Sequence, residues 1–546
     1  MIPAWTGTTV RDVERPFLDA GDGDLLMARA AHGLALACVR VLRAERGRVT
    51  GARVVVLAGT GNNGGDALWA AAELRRRGAA VQVIAAGDRL HPAGHEALRA
   101  AGGSVETLAD LGTDAATDRC LAADLLLDGL LGTGATGGLR GQAGELVERV
   151  NRELDAATDD GGQGPVVVAV DLPSGVEADT GASPGPVLAA ARTVTFGGTK
   201  AAHVLPPGRG LSGEVELVTI GIEDSLPCPA VVALEDGDLD ILWPRPVTED
   251  HKYTRGVVGV VAGSPEYPGA AVLCTRSAVA AGAGMVRYLG DEHTRTLVTL
   301  TTPEVVSSAD SPDGVHVQSW VAGPGAVDDE QRRRLEQILT APEPSVLDAG
   351  AIAAVGQHLG DARLSAHQVL TPHAGELVDL LTWCQAWGLA AEVPERCEVE
   401  DAPGRWAKVA ADATGATVLL KGAVTVVAGP RAETILTVGN SSPWLAAAGS
   451  GDCLAGIMGA VLANVAGRPE AFDRRVRRWL ADAPLAETAR NALRERFKGE
   501  GRWALVVALA ATLQARASWI DGDGPGASTP ERIRRALTAN VTIPSA

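Results

Sequence analysis

The sequence predicts an α/β protein of two domains, each built on a parallel β-sheet that helices cover on both faces. The chain has 546 residues, which is too long for one ordinary core. Short runs of consecutive apolar residues alternate with alanine-rich stretches of helical period, and such runs are typical of strands buried on both faces. Aromatic residues make up only 3% of the chain beside 66 glycines, so the cores must pack small and branched side chains closely.

The first series of elements ends near residue 222. It opens with residues 24–42, in which apolar positions recur at helical spacing with an aspartate at the start that can cap the helix. Strands are then predicted at 53–59, 80–87, 124–132, 165–175 and 192–198. Their apolar residues are consecutive rather than alternating, which favours a doubly wound parallel sheet.

A second series follows a proline- and acid-rich passage at 223–256, which predicts a linker and the entry to a new unit. Its strands are predicted at 257–264, 319–325, 345–350, 369–376 and 417–429. We therefore expect domains at 1–225 and 226–546. The charged helical segment 464–502 is expected to be a solvated surface insertion, and Trp383 and Trp387 are expected to pack one helix face on the core.

Composition limits the partners and the compartment. The formal charge of −18 argues against a general affinity for nucleic acid or an anionic membrane, because both reward a basic surface. The seven cysteines are scattered and contain no C-x-x-C pair, which fits a reducing compartment and favours the cytoplasm. The N-terminus lacks an apolar signal region, and no stretch reaches the roughly 18 uninterrupted apolar residues of a membrane span.

The stretch GTGNNGGD at 59–66 follows the first predicted strand and matches the dinucleotide-binding pattern G-x-G-x-x-G. A dehydrogenase of that type needs an acidic residue at the end of the next strand, about 20 residues further on, to bind the ribose. Here that strand ends VQVIAAG, and the carboxylate of Asp66 would repel a pyrophosphate bound close to the loop. The pattern alone is therefore weak evidence, and a hydride-transferring dehydrogenase is disfavoured.

Two further strand ends carry polar groups that suit this loop. LLLDGLLGTGATGG contains Asp128 and a second glycine-rich turn, and VVVAVDLPSG contains Asp171 and Ser174. The carboxyl ends of parallel strands converge on one crevice, so Asn63, Asp128 and Ser174 are expected to meet there. All three offer oxygen atoms, which suit a hard cation rather than zinc.

These three motifs, in order and at plausible spacing, resemble the NAD(P)H-hydrate epimerase family, and VRDVERPF and LLMARAA resemble its N-terminal helices. The likeness covers roughly residues 1–222. It implies a Rossmann-like three-layer α/β/α sandwich that interconverts the R and S epimers of hydrated NADH and NADPH (NADHX and NADPHX).

The resemblance also implies the site residues. Potassium (K⁺) would be bound by Asn63, Asp128 and Ser174, Asp171 would face the reacting ring, and Lys200 in TFGGTK would be its electrostatic partner. The residues that would hold the hydrate are Asn62, Asn63, Gly64, Gly65, Asp66, Gly132, Thr133, Gly134, Ala135, Thr136, Gly137, Gly138 and Asp171. Taken alone, Asp171 also fits a turn before Pro-Ser-Gly, and Lys200 also fits a surface lysine.

AAAGSGDCLAGIMGAVL at 446–462 is the most informative stretch of the second half. Gly449, Ser450 and Gly451 predict a tight turn with free backbone N–H groups, and the apolar period after Asp452 opens a helix at that turn. Such a helix N-terminus binds anions, and an aspartate beside a transferring phosphoryl group can accept a proton from the attacking hydroxyl. Alone, these residues also fit a small-residue helix start with a capping aspartate.

The turn resembles the G-x-G-D anion hole of ribokinase-like proteins, and other motifs resemble one branch of them, the ADP-dependent NAD(P)H-hydrate dehydratases. Those motifs are HKYTRG, SAVAAGAGMVR, GPG, VLTPHAGEL and VLLKGAVTVVAG, in family order over residues 232–546. The likeness implies a ribokinase-like α/β domain in which Asp452 is the general base and Mg²⁺ bridges the phosphates of the co-substrate ADP. The hydrate would be contacted by Ala270, Gly325, His373 and Asp452, and the nucleotide by Lys421, Gly422, Ala423, Val424, Thr425, Gly449, Ser450 and Gly451.

Together the two halves predict repair of hydrated NAD(P)H. The first would epimerise the R and S hydrates, and the second would dehydrate the S epimer with ADP, releasing NAD(P)H, AMP and phosphate. Homo-oligomerisation is expected because it is common in this family. One departure is that the family's D-A-D-A-L is here Asp348-Ala-Gly350-Ala-Ile, so a glycine replaces the second acid.

Two other functions stay open at this point. One is a small-alcohol or vitamin-precursor kinase whose N-terminal domain is an accessory nucleotide-binding domain, because its anion hole would be the same. The other is a protein in which one domain is a catalytically silent nucleotide sensor or assembly platform, and the Gly350 departure makes the second domain the candidate.

Overall fold

The computed structural model describes residues 1–159, 164–520, 522, 524 and 529–538. The described residues form two compact units, one spanning Pro3–Pro229 and the other running from Ala230 onward and including Met1–Ile2. Each unit contains a β-sheet, and the apolar residues of the central strands are buried.

The N-terminal unit alternates strands and helices. After β1 (Ile2–Ala4), its strands are β2 (Arg53–Ala58), β3 (Ala80–Ala85), β4 (Val105–Thr107), β5 (Leu125–Gly129), β6 (Val166–Val170), β7 (Arg192–Phe196) and β8 (Glu214–Val218). Its helices are α1 (Gly7–Asp19), α2 (Gly23–Arg46), α3 (Asn62–Arg76), α4 (Pro92–Ala100), α5 (Leu108–Leu111), α6 (Thr113–Leu121), α7 (Gly141–Asp159) and α8 (Gly208–Ser212). The sequence predicts five of these strands but not β4 and β8. Those two lie at the edges of the sheet, where fewer positions are buried.

The pairings in this sheet are all parallel, in the order β4-β3-β2-β5-β6-β7-β8. The winding direction reverses between β2 and β5, which lie side by side. In open α/β sheets a crevice forms outside the carboxyl ends of the strands at such a switch point. The glycine-rich loop after β2 and the Asp128 turn after β5 therefore face the same crevice.

The second unit is larger. Its strands are β9 (Val231–Ala233), β10 (Val257–Val261), β11 (Met285–Leu289), β12 (Val306–Ser308), β13 (Ser319–Ala322), β14 (Ser345–Leu347), β15 (Gln368–Leu370), β16 (Thr417–Leu420), β17 (Thr425–Ala428) and β18 (Ile435–Val438). Its first helices are α9 (Asp236–Leu242), α10 (Pro268–Ala280), α11 (Glu292–Thr301), α12 (Asp329–Leu339), α13 (Gly350–His358), α14 (Ala374–Ala386), α15 (Arg396–Asp401) and α16 (Pro403–Thr414). The remaining helices are α17 (Ser450–Gly467), α18 (Pro469–Ala481), α19 (Glu487–Arg496), α20 (Arg502–Ser518) and α21 (Pro530–Ala536).

The sheet of this unit has the order β1-β9-β18-β17-β16-β15-β14-β13-β10-β11-β12. Pairings from β12 to β16 are parallel, whereas β16 pairs with β17 and β17 with β18 in antiparallel fashion. The sequence predicts one strand at 417–429, and this is wrong, because residues 421–424 connect the two strands of a hairpin. Of the predicted nucleotide-binding residues, Lys421–Val424 thus lie in a connection at the end of β16, at the same edge as the ends of β14 and β15, and Thr425 begins β17.

The charged segment 464–502 is not wholly solvated. Helix α18 buries Phe472, Val476, Trp479 and Leu480, and the indole of Trp479 donates a hydrogen bond to Asp238 at 2.6 Å. The charged residues lie on the outer faces of α18 and α19, so the composition of the segment conceals its buried face. Trp383 and Trp387 are 38% and 47% exposed, and their rings pack against Gly356 in α13 and Gly360 just after it.

Two helices, α2 and α17, are long and apolar enough to cross a membrane by length and composition. In the protein, 56% of the apolar window of α2 and 67% of that of α17 is buried, as in the core helices of a folded domain. Both therefore give only weak evidence for a membrane span. The seven cysteines all lie in the described part of the chain, and none of them forms a disulfide bond.

Candidate active sites

The first candidate site is a cavity of about 610 Å³ in the N-terminal unit. One wall is formed by the loops that follow β2, β5, β6 and β7, and another by α1 and α2. Of the predicted residues, the cavity is lined by Asn62, Asn63, Asp66, Gly132, Thr133, Gly134, Ala135, Asp171 and Lys200. Its volume lies in the range of pockets that enclose small ligands and cofactors.

Asp171 and Lys200 form a buried ion pair in this cavity. The Lys200 ammonium lies 2.6 Å from Asp171 Oδ1 and also donates to Thr195 Oγ1 at 3.0 Å and to the Phe196 carbonyl at 2.8 Å. Lys200 is only 2% exposed. These contacts use all three donors of the ammonium, so Lys200 is a fixed counter-charge rather than a surface lysine.

The backbone of Asp171 is held in an unusual conformation. Its φ of 64° lies in the left-handed region, which non-glycine residues rarely adopt. His203 Nε2 donates to the Asp171 carbonyl at 2.9 Å, while His203 Nδ1 accepts from the Lys200 amide at 3.1 Å. Burial, with the Lys200 charge, lowers the pKa of His203 to about 4, so the imidazole is neutral at pH 7. His203 therefore positions both members of the ion pair.

Two further carboxyl groups line the cavity. Burial raises the pKa of Asp66 well above its usual range, and the charges of Asp171 and Glu14 raise it further. Oδ1 of Asp66 is buried without a hydrogen-bond partner in the structure. Burial also raises the pKa of Glu14, which α1 contributes to the wall. Asp66 and Glu14 are therefore more easily protonated than ordinary surface carboxylates.

Asn63, Asp128 and Ser174 lie close together beneath the cavity. The Ser174 hydroxyl donates to Asp128 Oδ1 at 2.5 Å, and the Ser174 amide donates to Oδ2 at 2.8 Å. Asn63 Nδ2 donates to the carbonyls of Leu131 and Val170, at 2.8 and 2.6 Å. Asp128 is fully buried, it accepts hydrogen bonds from the neutral donors of Leu130 and Ser174, and burial raises its pKa. This corner is rich in oxygen atoms, and none of the described residues gives its carboxylate a positive partner.

The remaining residues predicted to hold the hydrate do not line the cavity: Gly64, Gly65, Thr136, Gly137 and Gly138. A Cβ on Gly64 would lie 2.1 Å from the Gly59 carbonyl oxygen, and one on Gly138 would lie 2.7 Å from the Gly185 backbone. Close approach of backbone segments therefore explains these two glycines. Gly137 has a φ of 73°, which explains glycine there by conformation alone.

The second candidate site lies at the ends of three neighbouring strands of the larger unit. Asp348 follows β14, Thr371 follows β15 and Lys421 follows β16. The Lys421 ammonium lies 2.8 Å from Asp348 Oδ1, which also accepts from the Thr371 hydroxyl at 2.7 Å. Asp348 is only 3% exposed. A buried carboxylate thus holds the predicted nucleotide-binding lysine in place.

The N-terminus of α17 points at this ion pair. A Cβ on Gly451 would lie 3.7 Å from Asp348 Oδ2 and 3.8 Å from the Lys421 ammonium. Gly449 has a φ of 88°, which a tight turn before the helix requires of it. Burial raises the pKa of Asp452, the Asp348 charge raises it further, and Lys421 opposes the shift. The predicted base, anion hole and phosphate-binding lysine therefore lie around one point.

His373 caps α14 and joins the same group of charges. Its Nδ1 accepts from the amides of Gly375 and Glu376 at 3.0 and 3.2 Å, as a helix N-cap does. The Glu376 carboxylate in turn lies 3.6 Å from His373 Nε2 and 3.7 Å from the Lys421 ammonium. Capping of α14 therefore accounts for His373 Nδ1, while Nε2 lies on the side of Glu376 and Lys421.

The other two residues predicted to contact the hydrate in this unit touch each other. A Cβ on Gly325 would lie 2.8 Å from Ala270 Cβ, and the φ of Gly325 is 64°. One helical turn after Ala270, the Cys274 thiol donates to the Asp452 carbonyl at 3.2 Å.

Gly350, the departure from D-A-D-A-L, has no room for a side chain, because its Cβ would lie 2.7 Å from the Ala326 carbonyl oxygen.

Sequence reasoning missed several polar residues at both sites. Thr195 and His203 flank Lys200 in the sequence, and their nearness to that lysine was the available signal. Glu376 lies within the quoted VLTPHAGEL, in which H-x-x-E is a capping-box pattern. Glu14 gave no signal beyond its place in VRDVERPF, because charges in an amphipathic helix usually face solvent.

A family profile described as "YjeF-related protein N-terminus" matches residues 23–202, and one described as "NAD(P)H-hydrate dehydratase" matches residues 258–493. The chain is 42% identical over 465 residues to the bifunctional NAD(P)H-hydrate repair enzyme of Mycobacterium leprae. That alignment covers 85% of this chain and 89% of the relative.

Two further likenesses concern the separate halves. The NAD(P)H-hydrate epimerase of Clavibacter michiganensis is 43% identical over 232 residues, which cover 42% of this chain and 95% of that protein. A Bacillus subtilis ADP/ATP-dependent NAD(P)H-hydrate dehydratase, co-crystallised with ATP/Mg²⁺, is 22% identical. Its match covers 56% of this chain and 95% of that one at a TM-score of 0.41, too low to carry any argument.

Proposed function

The chain belongs to the family of bifunctional NAD(P)H-hydrate repair enzymes, and we propose that each of its two units carries one of the two repair reactions. The supporting observation is the identity of 42% over 85% of the chain, which spans both candidate sites. The N-terminal unit would interconvert the R and S hydrates of NADH and NADPH. The second unit would dehydrate the S epimer at the expense of a nucleotide.

In the first reaction, Asp171 is the group that faces the reacting ring. C6 of the hydrate bears a hydroxyl and is bonded to the ring nitrogen, so its configuration is lost when either bond opens. A carboxylate beside the hydroxyl can take its proton. The Lys200 ammonium, 2.6 Å from Asp171, pairs with that carboxylate in a buried site and holds its orientation.

In the second reaction, Asp452 accepts the proton of the C6 hydroxyl as that oxygen attacks the terminal phosphoryl group of ADP. Phosphorylation converts the hydroxyl into a good leaving group. The ring nitrogen then expels phosphate, and loss of a proton from C5 restores the dihydronicotinamide. The amides at the start of α17 would stabilise the transferred phosphoryl group, at roughly 3 kcal/mol per well-placed donor.

Lys421 lies where a phosphate clamp is needed, held by Asp348 at 2.8 Å. The described residues contain no cluster of three metal-ligating side chains. Mg²⁺ usually enters such sites on substrate phosphates and keeps several waters. We therefore propose that Mg²⁺ arrives with the nucleotide as part of the substrate, and that ADP is the phosphoryl donor.

The residues of the first unit fit potassium. Asp128 is fully buried among neutral donors, and the carbonyls of Leu131 and Val170 lie close by at Asn63. Carboxylate, hydroxyl, amide and carbonyl oxygens are suitable ligands for a hard monovalent cation. Asn63, Asp128 and Ser174 would hold K⁺, which would supply the positive charge that the Asp128 carboxylate lacks.

Potassium should therefore stabilise the N-terminal unit. An ion that binds only the folded state at 100 times its Kd adds about 2.7 kcal/mol of stability. We expect the melting temperature of the N-terminal unit, measured by calorimetry, to rise when tetramethylammonium is exchanged for K⁺ at equal ionic strength. Asp128→Asn should abolish the shift, and an equal shift in that variant would contradict the site.

We also propose a cytoplasmic homo-oligomer that acts on small molecules and binds neither nucleic acid nor membrane. Seven described cysteines without a disulfide bond and the net charge of −18 support the compartment and the absent partners. The stoichiometry is measured directly by light scattering coupled to size exclusion.

The test of the proposed function is restoration of NADH from its hydrate. A mixture of R and S hydrates is incubated with the protein, Mg²⁺ and ADP, and absorbance at 340 nm is followed because only the repaired cofactor absorbs there. We expect complete conversion of both epimers, with ATP run in parallel to rank the nucleotides. If the R hydrate of the mixture is repaired no faster than spontaneous epimerisation allows, the epimerase activity is absent. A stable phosphorylated product without free phosphate would favour the small-molecule kinase instead.

A further inference from the structure

The cavity of the N-terminal unit holds more acidic groups than its ion pair uses. Glu14, Asp66 and Asp171 all line it, and Lys200 is the buried ammonium among them. Lys200 is fully engaged by Asp171, Thr195 and the Phe196 carbonyl. The described contacts include no hydrogen bond or ion pair of the Glu14 carboxyl group.

Epimerisation needs two proton-transferring groups. The C6 centre is a hemiaminal, so it can open when a base removes the hydroxyl proton, the oxygen pair forms a C=O bond and the C6–N1 bond breaks. The bonding pair moves to N1, where an acid must deliver a proton. After rotation about the C5–C6 bond, attack of N1 on the other face of the aldehyde reverses these transfers and yields the opposite epimer. No oxidant, reductant or further reactant is consumed.

We propose that Glu14 is this second group, the acid that protonates the ring nitrogen while Asp171 accepts the hydroxyl proton. The assignment rests on the proposed epimerase function. Glu14 projects from α1, on the wall formed by helices, whereas Asp171 projects from the end of β6. A ring bound between these walls has one acid–base group on each.

The surroundings of Glu14 favour a protonated resting state. Burial raises its pKa, Lys200 and Arg11 lower it, and Asp171 raises it. Arg11 and Arg15, on the same helix, are engaged by the Thr133 carbonyl and by Asp12. From α3, Asp66 adds a further acid to the cavity. Within the described part of the chain, no cation therefore pairs directly with the Glu14 carboxylate.

Asp66 is the competing candidate. Its Oδ1 is buried without a partner, and burial is the largest cause of its raised pKa. It extends from α3 on the side of the strand ends, the same side as Asp171, so both would act from one wall. We therefore assign Asp66 to substrate contact and Glu14 to proton delivery.

The test compares Glu14→Gln with Asp19→Asn, an exposed acid-to-amide change at the end of the same helix. The R hydrate is the epimer that remains after the S epimer of the mixture has been consumed. Its conversion to the S epimer is then followed through the dehydratase unit of the same chain. We expect kcat for epimerisation to fall about 100-fold in Glu14→Gln with KM nearly unchanged, the usual size of a lost general acid. Asp19→Asn should behave as the unchanged protein, and direct dehydration of the S hydrate should be equal in all three.

The pH profile separates proton transfer from a structural role. The acid must be protonated, so kcat/KM of the unchanged protein should fall on the alkaline side, above the usual range of a glutamate. Glu14→Gln should lose this limb, and Glu14→Asp should keep it at a lower rate. A raised KM with the limb intact would overturn the proposal, as would loss of the limb in Asp66→Asn instead. If the unchanged protein does not epimerise at all, the proposed function fails and not merely Glu14.

Discussion

Asp452→Asn is expected to lower the rate of ADP-dependent dehydration by about a thousandfold while epimerisation continues unchanged. General bases contribute 10²- to 10⁴-fold, and the amide keeps the shape of the side chain without its proton affinity. Asp452 lies in the first turn of α17, beside the Asp348–Lys421 pair that would meet the nucleotide phosphates. The measurement is the 340 nm rate with pure S hydrate, ADP and Mg²⁺.

The stability of this variant distinguishes lost chemistry from lost structure. Burial and the neighbouring Asp348 charge both disfavour the Asp452 carboxylate, as its raised pKa indicates. Replacing the charge with an amide should therefore leave the melting temperature of the second unit equal or higher. Asp401→Asn, an exposed change at the end of α15, serves as the matched control and should be fully active.

The same residue predicts a pH dependence. Asp452 acts in its deprotonated form and its pKa is raised, so the dehydration rate should fall as the pH drops through a value above the usual aspartate range. The fall in rate at low pH should appear in the rate of the chemical step and not in the affinity for the nucleotide. Normal dehydration by Asp452→Asn would contradict its role as the base and would support a different proton acceptor.

The sequence predicts the strands and their ends because those positions obey short-range rules. Consecutive apolar residues predict a strand buried on both faces, and the polar residues that follow it face the crevice. Asp171 and Ser174 were found in this way, whereas Asp452 was found from the Gly-Ser-Gly turn that opens a helix. The hairpin of β16 and β17 was missed because a run of apolar residues does not reveal a reversal when the turn contains Ala423 and Val424.

Contacts between distant residues could not be predicted. Asp348 and Lys421 are 73 positions apart, and their ion pair exists only because β14, β15 and β16 are adjacent in the sheet. Glu14 reaches the cavity because α1 packs over the strand ends, and no local pattern specifies that packing. Gly64 and Gly138 were assigned to the ligand because the sequence cannot distinguish approach of a ligand from approach of the backbone.

Lys200→Met is expected to abolish measurable epimerisation and to destabilise the N-terminal unit. Removing one partner of a buried ion pair leaves an uncompensated charge, at a cost of about 3–5 kcal/mol. Lys200 is 2% exposed and supplies the ammonium that contacts Asp171 Oδ1. Calorimetry should show a lower melting temperature for the N-terminal unit. The dehydratase rate on S hydrate should stay the same and serves as the internal control.

A double variant separates the two effects. Asp171→Asn combined with Lys200→Met removes both charges, so the N-terminal unit should recover much of its stability although epimerisation stays absent. The two substitutions are then strongly non-additive in stability, as expected for side chains in direct contact. Stability that falls by the sum of the single changes would mean that the pair is not coupled. Epimerisation by the double variant would mean that the ring reacts elsewhere in the cavity, because neither the base nor its counter-charge would remain.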